Sequence, residues 1–91
     1  MDTTKFENSV RAAGFSAAER KSLAEGCTTS AHAHPFDVHA LVLDGSITLT
    51  RSGVATTCHA GDEFTMPAGA MHEELVGAKG VTYMVARRHP A

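Results

Sequence analysis

No stretch of this chain is apolar for long enough to cross a bilayer. The first five residues are polar and lead into an amphipathic segment rather than the apolar core of a secretory signal, so a cytoplasmic location is the default expectation. Lysine and arginine are scarce, 8 together, and gather nowhere beyond the isolated pairs Arg20-Lys21 and Arg87-Arg88. With a formal net charge of −2, the chain carries no electrostatic footprint for nucleic acid. Cysteine is limited to Cys27 and Cys58, too few for a disulfide framework, and a reducing compartment would keep both as thiols. There is no internal repeat, linker or low-complexity tract. The reading is a single domain over residues 1–91.

At 91 residues the core is small, and only about two-thirds of the unfolded chain's surface can be buried. Stability should therefore be marginal, and a metal ion or a second subunit would help. Residues 3–13 read as a short helix: Thr3 or Thr4 can cap it, Phe6, Val10 and Ala13 share one face, and Gly14 ends it. Residues 15–26 are ambiguous between helix and an edge strand around residues 19–23. After Thr28 the apolar period changes. Residues 40–43 are a continuous apolar run closed by Asp44-Gly45, a turn signal, and residues 46–51 alternate strictly, with Ile47 and Leu49 on one face. Further strand-like segments at 54–58, 63–66, 73–76 and 81–86 are separated by Ser52-Gly53, Ala60-Gly61-Asp62 and Pro67-Ala68-Gly69. Short strands punctuated this often predict an all-β sandwich or barrel.

What the chain has in excess is histidine, 6 in all. His32 and His34 are two apart, which on a strand places both rings on one face with their nitrogens able to converge. His72 follows the Pro67-Ala68-Gly69 turn, where it could begin another inward-facing strand. Three neutral imidazoles form the protein half of an open metal site, with the remaining positions left to water or substrate. A lone His-x-His pair is more often a surface accident, so the frame around it matters.

That frame runs from Gly26 through His32-Ala33-His34 and Val38 to Gly45, then from Gly61 through Pro67-Ala68-Gly69 and His72 to Val76. It resembles the paired signature motifs of the cupin superfamily, with the short spacing of compact bacterial members. The resemblance implies a cupin-type jelly-roll β-barrel with a short N-terminal helix. In that reading residues 1–25 form the helix and an edge strand, and residues 26–86 form the barrel with both histidine motifs. It also carries His32, His34 and His72 over as metal ligands. Two positions depart from the pattern: Val38 stands where the first motif has a glutamate ligand, and Val76 where the second ends in asparagine. The missing glutamate removes the anionic fourth ligand. His39 could replace it only if the strand is bulged, because plain alternation turns it away from Val38. Asp37 could accept a hydrogen bond from an imidazole N–H.

Three neutral ligands suit one Zn, Fe, Ni or Cu ion per chain, disfavour Mg, and leave the ion's charge to attract an anionic substrate. Val38 would add apolar wall, with Phe36, Val42, Phe64 and Met66 as further lining. Glu74 shares the face of His72 by alternation and is a candidate general base or a supporting group beside the metal; Glu73 reads as solvated. His59 reads as exposed, His89 as inert in the C-terminal tail, and the single tyrosine, Tyr83, as core with its hydroxyl at the boundary. No residues are assigned to an organic cofactor. The resulting expectation is a metal-dependent enzyme, of dioxygenase or isomerase type, acting on a small oxygenated or anionic metabolite. The alternative is a non-catalytic sensor or carrier that holds a small ligand through the metal. A homodimer is expected, because a second copy would cover an exposed sheet edge.

Overall fold

The computed structural model describes residues 1–89. One helix, α1 (Thr4–Ala12), precedes six strands: β1 (Glu19–Leu23), β2 (Thr28–His32), β3 (Asp37–Arg51), β4 (Val54–His59), β5 (Glu63–Met66) and β6 (His72–Arg88). Thr3 occupies the N-cap of α1, but its hydroxyl donates to Glu7 Oε1 at 3.0 Å, while Asp2 Oδ1 takes the Thr4 N–H. The ambiguous segment at residues 19–23 is a strand. No helix is long and apolar enough to cross a membrane among the described residues.

The two longest strands organise everything else. β3 and β6 run antiparallel and pair from Asp37 opposite Arg88 to Thr50 opposite Glu73. Where the sequence signals a turn at Asp44-Gly45, the chain instead continues as one strand through two register shifts, one between Val42 and Asp44, the other between Gly45 and Ile47. The expected strands at 73–76 and 81–86 are likewise one strand, β6. The reason lies in the partner: Gly45, at φ 76°, faces Gly80, at φ 74°, so closely that a Cβ on Gly45 would collide with the Gly80 carbonyl. Gly45, which reads locally as a turn, thus bends the strand without ending it, close against Gly80 on its partner.

The bend divides the sheet into two four-stranded halves. On one side of it, β2 and β4 flank the pairing of residues 73–76 with residues 47–50. On the other, β1 and β5 flank the pairing of residues 81–88 with residues 37–45. One apolar cluster draws on both halves: Val38, Ala40, Val42 and Val85 from one, Ile47, Leu49, Cys58 and Val76 from the other. The halves therefore face each other across a shared core, as in a jelly roll, although the hydrogen-bonded ladder itself is not closed. On the outer side of β3 and β6, a second cluster of Leu41, Met84 and Ala86 is covered by Phe6 and Val10 of α1.

Candidate metal centre

His32 ends β2 and His72 begins β6, and the two are directly paired across the sheet. β2 carries one extra residue between Thr29 and His32 relative to β6, a bulge that sets where the His32 ring points. His34 lies just beyond β2, its ring stacked on Phe36 with centroids 4.9 Å apart. The turn at Pro67-Ala68-Gly69 is tied to this loop twice. The Gly69 N–H donates to the His34 carbonyl at 2.9 Å, and the Ala68 N–H donates to Asp37 Oδ1 at 2.8 Å. Local turn chemistry thereby fixes both halves of the histidine group.

The rings of His32 and His34 meet edge to face, and both are tilted against that of His72. Their centroids lie 4.2 Å apart for His32 and His72, 4.8 Å for His32 and His34, and 5.2 Å for His34 and His72. One ligand atom from each falls within 4.8 Å of the others. The outer nitrogens are committed to backbone: His32 Nδ1 lies 2.8 Å from the Ser30 carbonyl and His72 Nδ1 3.2 Å from the Ala70 carbonyl. A carbonyl only accepts, so each Nδ1 carries a proton, and in the neutral ring each Nε2 then presents a lone pair inward. His72 is 2% exposed, and its Nε2 is buried without a hydrogen-bond partner. An orphaned acceptor of this kind carries a desolvation cost of about 1–3 kcal/mol unless something else fills the role. Burial first, then the neighbouring His32 and His72, hold the His34 ring below the ordinary histidine value of 6.5, which favours the neutral form that a ligand needs.

A cavity of about 140 Å³ adjoins the group. His34 and Glu74 line it, and Phe36, Val38, Phe64 and Met66 supply apolar wall. Val42 does not line it and is fully buried core instead. Lys21 and Arg87 also line the cavity, and neither was singled out in the sequence. Arg87 was within reach, since it continues the alternation of Tyr83 and Val85. Lys21 was not, because only the register opposite Tyr83 brings it there. Tyr83 is a wall residue whose hydroxyl is pushed up by burial and then by the Glu74 charge.

His39, the candidate fourth ligand, is not in the group. No bulge turns it inward: it sits on the α1 side of β3, its Nε2 2.8 Å from Glu63 Oε1, with Phe6 and Phe15 against its ring. Asp37 does not reach an imidazole either, since its carboxylate takes the Ala68 N–H and the Arg88 guanidinium. Glu74 does lie at the site, with Oε2 3.3 Å from His72 Nε2 and 3.5 Å from His32 Nε2. Cys27 is an exposed free thiol; Cys58 is free and buried, and burial pushes its thiol up. His59 is exposed, whereas His89, exposed as well, packs its ring edge on Phe36 at 5.5 Å.

No protein-family model and no curated protein matches this sequence. Solved structures do. A protein of unknown function from Rhizobium leguminosarum bv. viciae 3841 superposes with a TM-score of 0.76 at 18% identity, over 81% of this chain and 70% of that one. A cupin-2 domain protein from Shewanella frigidimarina NCIMB 400 superposes with a TM-score of 0.68 at 19% identity, over 80% and 70%. The fold is that of a cupin. The polyketide cyclase RemF from Streptomyces resistomycificus shares it, with a TM-score of 0.71 at 19% identity, over 85% of this chain and 56% of that one. At such identities the likeness is one of fold, and a cupin barrel hosts many chemistries. The histidine group is therefore judged on its own geometry. Three neutral imidazoles, one of them buried with a free lone pair, fit a transition-metal ion of the Zn, Fe, Ni or Cu class.

Proposed function

We propose that this cupin holds one divalent transition-metal ion on His32, His34 and His72 and is a metal-dependent enzyme for a small oxygenated or anionic metabolite, of dioxygenase or isomerase type. The observation that carries the reading is the buried, unpartnered Nε2 of His72, aimed at the same point as two other imidazoles. Such an ion, when bound, supplies a Lewis acid that polarises an oxygen of the substrate. The chain's own residues do the rest. Ser30 and Ala70 carbonyls fix the ring tautomers. Phe36, Val38, Phe64 and Met66 give the cavity its apolar wall, and a volume of about 140 Å³ restricts it to a small molecule. Lys21 and Arg87 bring positive charge to the cavity, Arg87 with its guanidinium 5.5 Å from the Phe36 ring centroid, which supports an anionic group on the substrate.

The smallness of the same cavity also supports a second reading, a sensor or carrier that holds a small ligand without turnover. A homodimer belongs to the proposal too, supported by the exposed outer strand β4 with Val54 66% exposed; light scattering that gives a monomer mass at every concentration would refute it.

Elemental analysis of untagged protein beside His72→Ala tests the main reading. One transition metal per chain, lost in the variant, is the expected result. No metal in either sample after reconstitution with each candidate ion would sink it. Iron in the wild type would point to oxidation, whereas zinc would favour isomerisation or plain binding.

A further inference from the structure

We infer that Glu74 is the fourth, anionic ligand of this centre, supplied by β6 rather than by β3; the inference rests on the three-histidine reading above. His72 and Glu74 are two residues apart on β6 and therefore share a face. Thr29, on the paired strand, is opposite Glu74, and the bulge after it brings His32 opposite His72. One side of this short stretch thus collects two imidazoles and a carboxylate.

What these groups present to one another is the decisive point. In the neutral rings that a metal requires, both Nε2 atoms are lone-pair acceptors, because the one ring proton of each sits on the Nδ1 that faces a carbonyl. Glu74 Oε2 is a third acceptor, yet it lies 3.3 Å from one Nε2 and 3.5 Å from the other. At 3.3 Å it still makes no hydrogen bond to His72, whose Nε2 has none. Three acceptors turned toward one region with no donor among them repel unless a cation stands between them. The spacing suits that role. Two donor atoms, each about 2.1 Å from one ion, are about 3.0 Å apart at a right angle and about 3.4 Å apart at the tetrahedral angle.

The neighbouring carboxylates offer no substitute. Asp37 is held by Ala68 and Arg88, and Glu63 by His39. Val38, on β3, presents only apolar surface to the cavity. With its side chain 16% exposed, Glu74 is shielded enough for its charge to be felt. As a ligand it would halve the charge of a divalent ion, leaving Lys21 and Arg87 as the cavity's attraction for an anion. It would also stop Glu74 from serving as a free general base.

The test is calorimetric titration of metal-free wild type, Glu74→Gln, Glu74→Ala and His72→Ala with Zn²⁺ and Co²⁺, together with the visible absorption spectrum of each Co²⁺ form. Circular dichroism of the metal-free variants confirms that they fold. Glu74→Gln should weaken binding by more than the roughly 10–100-fold typical of an outer-sphere partner and should change the Co²⁺ ligand-field bands. A Glu74→Gln protein with affinity within tenfold of wild type and an unaltered Co²⁺ spectrum, beside a His72→Ala protein that has lost the metal, would overturn the inference while the three-histidine centre stands. Absence of binding by the wild type to either ion would overturn both.

Discussion

Two histidines lie on opposite faces of the same bent sheet, and their surroundings differ in one respect. His39, on the outer face under α1, has an aromatic edge on two sides and a carboxylate 2.8 Å from its Nε2. The nitrogen that faces the carboxylate is thus partnered within the fold. His72, on the inner face, is more deeply buried, donates Nδ1 to a carbonyl and leaves Nε2 with nothing. The contrast teaches that burial of a histidine does not mark a ligand, and neither does a nearby carboxylate. The mark is an inward lone pair that the protein has prepared and not satisfied.

Breaking the inner site should have the largest effect. A ligand that binds only the folded chain stabilises it by about 4 kcal/mol at a thousand times its dissociation constant. Excess Zn²⁺ should therefore raise the Tm of the wild type by many degrees, an increase that EDTA reverses. His32→Ala should show almost none of it, and His39→Ala should show all of it above its own baseline. Equal zinc-induced shifts in the two variants, followed by differential scanning fluorimetry, would erase the distinction between the faces.

The outer face is broken from its apolar side. Phe6 is 5% exposed and packs with Val10, Leu41, Met84 and Ala86 as well as on His39. Phe6→Ala should cost about 3 kcal/mol in urea unfolding of the metal-free protein, through lost burial and the cavity left behind. Metal affinity, measured on the protein that remains folded, should not change. A loss of affinity comparable to that of His32→Ala would mean that the helix layer helps to shape the centre.

How much of this was legible in the sequence follows from the range of each signal. The alternation at residues 46–51, the glycine-rich punctuation and the spacing of His32, His34 and His72 are local or repeat a known frame, and the strands and histidine group follow from them. The bends were misread as breaks because Gly45 announces positive φ without saying what it faces; only the approach of Gly80, 35 residues on, turns a turn signal into a bulge. Lys21 reaches the cavity through a pairing with β6 that no local pattern encodes. Asp37 was matched with an imidazole for its chemistry, yet its partners are a backbone N–H in a distant turn and an arginine at the end of β6.

That Asp37 pin supplies the smallest and most specific effect. It joins the start of β3 to the turn before His72 and to the end of β6. The Ala68 N–H first, and the Arg88 guanidinium next, hold its carboxyl below the ordinary value of 3.8. A carboxyl whose folded value is depressed binds its proton more weakly in the folded chain than in the unfolded one. Its contribution to stability is thus fully present above about pH 4–5 and is lost as the pH falls through the folded value. Asn at this position mimics the protonated form. Metal-free wild type should melt above Asp37→Asn at pH 6, and the gap should close as the pH approaches 3. A gap that stays constant over that range would assign the effect to the geometry of the amide and not to the charge that ties Arg88 and the turn together.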